Sequence, residues 1–317
     1  TAIGHDAMKE NTSGGGNTAV GNRSLSYNTT GSANSAFGKE ALTNSITSMR
    51  NTAIGYYAMR AVTTGSNNTA IGKDALMTNQ IGDNNTALGY RTLELNTGHN
   101  NTAVGYKALL KNTSAAAITG VGYQALAENT TGAENTAVGA NALEKNTTGN
   151  ANTASGYNAL NFNQTGHNNA ATGYRALKNN TTGNANTAVG SSALEINTTG
   201  NENTAVGSNA LEKNNNGTHN TATGHDALRD NSSGSQNTAI GHNALKLTNA
   251  STNTAVGKDA LTLNVSGQYN TATGAYSLEN STGNNNTAFG HRAGRNLSTG
   301  HANVYIGYET YASAGNV

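Results

Sequence analysis

The sequence contains no cysteine, no proline and no tryptophan, and only 3 of its 317 residues are phenylalanine. Without cysteine, disulfides and thiolate metal sites are excluded. Proline cannot donate a hydrogen bond to a β-ladder, so its absence is what a continuous ladder would require. Hydrophobic residues make up only 34% of the chain, which is too little bulk for a thick globular core.

Charge is also scarce, at 11% of residues with a formal net charge of +1 and no block of like charge. This composition lacks the basic footprint of a nucleic-acid-binding protein. No apolar run approaches the length of a transmembrane helix and no secretory signal is present, so we expect no membrane insertion by this segment. The chain starts inside a repeat, and we interpret it as a fragment or processed chain.

What is abundant is one motif, repeated along the whole chain. The sequence divides into nineteen units with a period of 17 residues, shortened to 16 in three of them. With Asn as position 1, the unit reads N-T-A-φ-G-x-x-A-L-x-x-N-T-T-G-x-x, where φ is apolar. In two of the short units the missing residue falls in the N-T-T-G segment, which indicates a turn. A repeat of this size with little bulk predicts a solenoid with a thin, stacked core.

The unit predicts an all-β, parallel β-solenoid with two short strands per coil, at positions 2–4 and 7–10. An alternative places a short helical turn at positions 6–12, although this segment is short for a helix. The glycine at position 5 of every unit indicates a positive φ or a close backbone approach at a corner. Asn at positions 1 and 12 is expected to stack between coils as a turn ladder. Representative corner glycines are Gly21, Gly55, Gly72, Gly105, Gly139, Gly190, Gly207 and Gly257, and representative ladder residues are Asn135, Asn146, Asn186, Asn197, Asn203 and Asn214.

Both faces of each predicted strand carry apolar residues, because successive side chains of a strand point in opposite directions. The predicted core residues in three of the units are Ala137, Val138, Ala142, Leu143, Val189, Leu194, Val206 and Leu211. A single roll needs only one face buried, so we expect further copies of the chain to cover the other face. A homotrimeric rod is the favoured assembly. With coils about 4.8 Å apart, the rod would be roughly 90 Å long.

The last two units depart from the motif, with Gly294 in place of Leu, Tyr305 in place of Ala and Tyr311 in place of Leu. These changes predict a repeat array over residues 1–302 and an atypical terminal repeat or cap over residues 303–317, because the end of a solenoid must change composition to stop propagation.

The N-T-A-[VI]-G, A-L and N-T-T-G elements together resemble the head repeats of trimeric autotransporter adhesins, and also repeats of phage tail fibres and related bacterial surface proteins. The resemblance covers essentially the whole chain. It implies a left-handed parallel β-roll that trimerises, and an extracellular location on a cell surface or virion. It also implies a structural or adhesive role toward a surface receptor, glycan or matrix. The 17-residue period is longer than is common in adhesin heads, so the fold transfers more readily than the binding partner.

Other chemistry has weaker support in the sequence. His225 and His242 fall at position 6 of consecutive units, where they could form a surface metal site with Asp226, but the position is variable and we predict no metal and no cofactor. Charged neighbours such as Lys73 and Asp74 also occupy variable positions, and a periodic rod offers no unique pocket, so we predict no catalytic residues and no enzyme. The recurrent Thr at position 2 leaves one alternative function open, an ice-binding protein that uses a flat Thr face.

Overall fold

The structure is a computed structural model that describes residues 1–311. Within them there is no helix, and each unit contributes one short strand to a parallel β-solenoid. This confirms the predicted all-β solenoid and excludes the alternative with a helical turn. The strands are β1 (Ala2–Ile3), β2 (Thr18–Val20), β3 (Ser35–Phe37), β4 (Thr52–Ile54), β5 (Thr69–Ile71), β6 (Thr86–Leu88), β7 (Thr102–Val104), β8 (Thr119–Val121), β9 (Thr136–Val138), β10 (Thr153–Ser155), β11 (Ala170–Thr172), β12 (Thr187–Val189), β13 (Thr204–Val206), β14 (Thr221–Thr223), β15 (Thr238–Ile240), β16 (Thr254–Val256), β17 (Thr271–Thr273), β18 (Thr287–Phe289) and β19 (Val304–Ile306).

The chain divides into two compact units, of which the first holds β1–β10 and the second β11–β19. Within each of these two compact units, every strand pairs in parallel with the next strand along the chain. Residues at the same position of the repeat are paired with each other. In the first unit, for example, Thr119 pairs with Thr136 and Val121 with Val138. Paired residues are one repeat apart in the sequence. Each position of the motif therefore forms a row of like residues that runs from coil to coil.

The strands alternate between an inner and an outer side, as the period-two pattern predicts. Ala137 at position 3 of its coil is fully buried, while Val138 at position 4 is 45% exposed. Small alanine side chains on the inside allow the roll to be thin. The core prediction is therefore wrong for the three position-4 residues Val138, Val189 and Val206, which lie on the outer side of the strand. The other predicted core residues are fully buried, namely Ala137, Ala142, Leu143, Leu194 and Leu211.

Positions 7–10 do not form the predicted second strand. The backbone φ is positive at positions 7 and 9, for example 57° at Asn141 and 51° at Leu143, so the segment is a succession of turns. As a consequence, Ala142 and Leu143 both point inward and are fully buried, instead of facing opposite sides. A left-handed conformation costs a leucine about 1–2 kcal/mol. Complete burial of its side chain returns about 1.5–3 kcal/mol, which offsets that strain.

Main-chain hydrogen bonds connect these turns to the neighbouring coils. The N–H of Leu194 at position 9 donates to the carbonyl oxygen of Ala210 in the next coil at 3.0 Å, and Ser192 at position 7 donates to Tyr174 in the preceding coil at 2.9 Å. The inward turns are therefore as fully hydrogen-bonded as a strand would be, which buried backbone groups require.

The corner at position 5 uses glycine because of both its φ and its surroundings. Every position-5 glycine has φ between 118° and 138°, including the eight corner glycines named from the sequence. A Cβ on Gly139 would lie 2.5 Å from the carbonyl oxygen of Gly156 in the next coil. Any other residue at this corner would combine an unfavourable backbone conformation with a clash against rigid main chain.

The asparagines at positions 1 and 12 are buried in most coils, and their amides bond within and between coils. At position 12, Asn197 donates from Nδ2 to Asn180 Oδ1 at 2.8 Å and to the Gly200 carbonyl at 3.0 Å. At position 1, the N–H of Asn203 donates to Asn186 Oδ1 at 3.0 Å. The other ladder residues chosen from the sequence, Asn135, Asn146 and Asn214, make equivalent bonds.

The departures in the last two units compensate each other. Tyr305 replaces the small alanine of position 3 and is 93% buried, with 7% of its surface exposed. A Cβ on Gly294 would lie only 2.6 Å from Cδ2 of the Tyr305 ring, so the missing leucine of one coil leaves the space that the tyrosine of the next coil fills. β19 continues the parallel ladder with β18. Residues 312–317 of the predicted cap lie outside the described residues.

Candidate functional site

The outer side of the strands presents an apolar row at position 4 in each compact unit, which Thr223 and Thr273 interrupt in the second. Its members are aliphatic or phenylalanine in most coils, and many are about 40% exposed, which is unusual for an ordered row of large apolar side chains. In the first unit the apolar row is Val20, Phe37, Ile54, Ile71, Leu88, Val104, Val121 and Val138, and in the second it includes Val189, Val206, Ile240, Val256 and Phe289.

A second exposed row, at position 6, lies one residue beyond the corner glycine. In three successive coils of the first unit it is an aromatic row of Tyr90, Tyr106 and Tyr123. The Tyr90 and Tyr106 ring centroids are 5.5 Å apart at an interplanar angle of 20°, and those of Tyr106 and Tyr123 are 5.2 Å apart at 6°. Each ring stacks on the next along the row, and the three residues remain 36–51% exposed.

The aromatic row ends at a lysine on its N-terminal side. Lys73 Nζ lies 5.8 Å from the ring centroids of both Tyr56 and Tyr90, which places a cation between two aromatic faces. The pKa of the Tyr56 phenol is raised, mainly by its hydrogen bond with Tyr57 and then by burial and by the nearby negative charges of Glu40 and Asp74. Its phenol therefore remains neutral at physiological pH.

Position 6 has a different chemistry in the second unit, where His225 and His242 stack with ring centroids 5.3 Å apart. Asp226 Oδ1 lies 3.5 Å from His225 Nδ1, but its carboxylate also accepts hydrogen bonds from Asn209 at 3.1 Å, Arg229 at 3.0 Å and Lys246. Throughout residues 1–311, no three His, Cys, Asp or Glu side chains are grouped so that they could hold a metal ion.

The environment of Asp226 shifts its titration. Burial by itself would raise the pKa of this carboxyl, but hydrogen bonds from Lys246 and Asn209 and the nearby charges of Lys246 and His225 outweigh it, so the pKa is lowered. Asp226 is only 5% exposed and is held ionised by a network that crosses three coils.

The charged neighbours considered from the sequence form ion pairs with each other. Lys73 Nζ is 3.9 Å from Asp74, Lys258 Nζ is 3.1 Å from Asp259, and Lys145 Nζ is 2.8 Å from Glu144. The lysine side chains are about half exposed, at 42–55%. Surface pairs of this kind contribute at most about 1 kcal/mol each.

Sequence reasoning treated position 6 as variable and exposed, and it missed the aromatic row. The signal was present in the Gly-Tyr dipeptides at positions 5 and 6 of consecutive coils, residues 89–90, 105–106 and 122–123. Once equivalent positions are known to stack, three consecutive tyrosines must meet.

Comparison with known proteins gives no family assignment, since no family model matches the chain and no curated protein matches it either. Over the described part of the chain, no helix is long and apolar enough to cross a membrane. The surface rows are therefore the features from which a function can be argued.

Proposed function

We propose that this chain is part of a structural and adhesive extracellular fibre, on a cell surface or a virion, in which three copies associate along their apolar rows. The observation that carries the proposal is the row of exposed aliphatic and phenylalanine side chains at position 4. The resemblance of the repeats to adhesin heads and tail fibres agrees with it. The proposal assigns no catalytic step to the chain.

The energetics of the apolar row favour a partner. Val138, Val189, Ile54 and Ile240 are each 39–45% exposed, and burying what remains exposed contributes on the order of 1 kcal/mol per side chain. Summed over a row in each copy, this amount is comparable to the cost of association, which is roughly 4–15 kcal/mol. A contact that covered only one or two coils would not offset that cost.

A second and third copy of the same chain fit the row best, because every copy carries the same repeat at the same spacing. Coils at equal heights can then match coil by coil about a common axis, and cyclic symmetry closes the assembly. The remaining variable positions, mainly 10, 11, 16 and 17, stay on the outside as a repetitive polar surface. Such a surface suits weak contacts made many times, in which avidity replaces affinity.

The test is the solution mass of the chain by multi-angle light scattering. We expect three times the 32.2 kDa chain mass. A variant that carries Val138→Asp, Val189→Asp and Val206→Asp should be monomeric, because three buried carboxylates per copy would be desolvated without partners. Thr148→Asp and Thr199→Asp at exposed position 14 serve as the matched control and should leave the mass unchanged. A folded wild-type monomer would sink the proposal.

The alternative function, ice binding, has one specific observation in its favour. In β14 and β17 both outward positions are threonine, Thr221 with Thr223 and Thr271 with Thr273, on strands that lie in register with their neighbours. An ice-binding protein would present this face as a monomer. Thermal hysteresis of a monomeric chain, abolished by Thr223→Tyr, would support this function over the fibre.

A further inference from the structure

A cleft of about 560 Å³ lies on the first compact unit, away from the apolar and aromatic rows. One wall is built from position 11 of four successive coils, and the other from position 13. Position 12 between them turns inward, as Asn28, Ser45 and Asn79 are fully buried there. The side chains on either side of it therefore stand up as the walls of a groove that crosses the coils.

The position-11 wall combines a ring, an amide and a gap. Tyr27 is 45% exposed, and it is followed in the next two coils by Asn44 and by the much smaller Ala61. Glu10 closes the wall at its first coil and is the single charged residue among those that line the cleft.

The position-13 wall is neutral and alternates in polarity. Ile46 is 44% exposed and lies between Thr29 and Thr63, with Gln80 at the far end. The hydroxyls of Thr29 and Thr63 each donate to the carbonyl of the following coil at 3.1 Å, so their oxygens keep lone pairs for an incoming donor.

Several main-chain N–H groups along both walls of the groove are already hydrogen-bonded. The N–H groups of Tyr27, Thr29, Ala61 and Thr63 donate to carbonyls of neighbouring coils at 3.0 Å. These N–H groups are therefore not available to pair with an added peptide strand, which favours recognition by side chains.

From this chemistry we propose that the cleft binds a neutral oligosaccharide, laid along the groove with successive sugar rings on successive coils. Sugar rings have an apolar C–H face, which suits Tyr27 and Ile46, and hydroxyls around their edges, which suit the Asn44 and Gln80 amides. An anionic ligand does not fit, since no Lys or Arg lines the cleft and Glu10 would repel it. A lipid does not fit either, because every coil contributes a polar group.

The cleft would give the proposed attachment role a ligand class, namely neutral oligosaccharides. The biological use of sugar binding rests on the proposed function, but the binding itself does not. The groove extends over successive coils at a regular spacing, which suits an extended ligand built from successive rings. A fibre with several copies of the chain would present several such grooves, so modest affinity at each would be sufficient for tight attachment.

The experiment is calorimetric titration of the whole chain with cellohexaose, chitohexaose and maltohexaose. We expect binding of at least one of them, weakened about tenfold or more by Tyr27→Ala, which removes the stacking ring. Ala61→Trp should weaken it similarly by filling the gap. Phe162→Ala is the matched control, because Phe162 is an exposed aromatic residue at the same coil position outside the cleft, and it should leave binding unchanged.

The proposal is overturned if none of the three sugars binds, or if Tyr27→Ala and Ala61→Trp bind the sugar as tightly as the wild type does. It is also overturned if a proline-rich peptide binds the cleft in place of the sugars. Light scattering on the same samples tests the trimer independently of the sugar-binding cleft. A trimer that binds no sugar overturns the cleft assignment alone, whereas a monomer whose sugar binding depends on Tyr27 overturns the trimer alone.

Discussion

The two asparagine rows and the apolar row of this solenoid are placed opposite to the usual rule for polar and apolar residues. Asn186 and Asn197 are fully buried, while Val189 of the same coil is 42% exposed. The buried amides cost little because each finds hydrogen-bond partners in its own coil and in the preceding one. The exposed valine has no such compensation inside the chain. Polar rows thus hold coils together, and the apolar row is what remains for a partner.

The largest effect should come from the corner that separates the two kinds of row. Gly139→Val should destabilise the chain by about 3 kcal/mol or more, because the φ of 137° and the 2.5 Å approach to the Gly156 carbonyl are both incompatible with a branched side chain. Thermal unfolding followed by circular dichroism measures it. Ala140→Val, one residue away at position 6, where the alanine is half-buried, is the control. Equal melting temperatures for the two variants would refute a special role of the corner.

A buried amide comes next. Asn197→Ala should cost about 2–4 kcal/mol, since it leaves the Gly200 carbonyl and the amides of Asn180 and Asn214 each without one of their partners. Chemical denaturation of the variant gives the free energy of unfolding. Thr199→Ala, at the exposed position 14 of the same turn, should change it by less than about 0.5 kcal/mol. A cost no larger than that of the control would mean that the amide row is dispensable.

Asp226 is buried and hydrogen-bonded between coils like the asparagines, but its carboxyl can be protonated. Its contribution to stability should therefore depend on pH, whereas that of the amides should not. Its lowered pKa means that the folded state favours the ionised carboxyl, and this stability is present above the ordinary aspartate pKa of about 3.9 and is lost as the pH falls below it through the folded-state pKa. The unfolding free energy of the wild type should therefore fall more steeply in acid than that of Asp226→Asn. Identical acid profiles would show that the network of Lys246 and Asn209 does not stabilise the ionised form.

The smallest effect on stability should come from the apolar row when the chain is monomeric. At concentrations where the chain is dissociated, Val206→Thr should change the unfolding free energy by less than about 0.5 kcal/mol, because Val206 is already 38% exposed and coils such as that of Thr223 carry threonine there naturally. At high concentration the same variant should weaken association. A large loss of stability in the dilute monomer would place Val206 in the chain's own core.

The solenoid and its parallel register could be predicted from the sequence, because both depend on the repeat length. The path of positions 7–10 could not. Leucine rarely adopts a positive φ, so a recurring leucine does not predict a turn. In the structure, Leu143 and Leu194 nevertheless have φ values of 51° and 52°. The better signal was the frequent Asn and Asp at position 7, including Asn141 and Asp226, which tolerate this conformation.

The candidate sites were harder to predict for a different reason. Position 4 was correctly expected to have a face opposite to that of position 3, but which face was the inside depended on the size of the alanine row, and Val138 was placed in the core. The cleft depends on single residues, Tyr27 and Ala61, at positions where neighbouring coils differ. A consensus motif averages such differences away.

Within a compact unit, the in-register pairing of each coil with the next also has a consequence for how the chain can change in length. Because Thr187 pairs with Thr204 and Thr204 with Thr221, each a whole repeat apart, one 17-residue unit can be gained or lost without altering the surroundings of any other ladder position. A duplication or deletion of one repeat in the gene would therefore be accepted as a complete added or missing layer. The number of coils is then set by the number of repeats in the gene, and it can change by one coil at a time while the residues of the other coils stay the same.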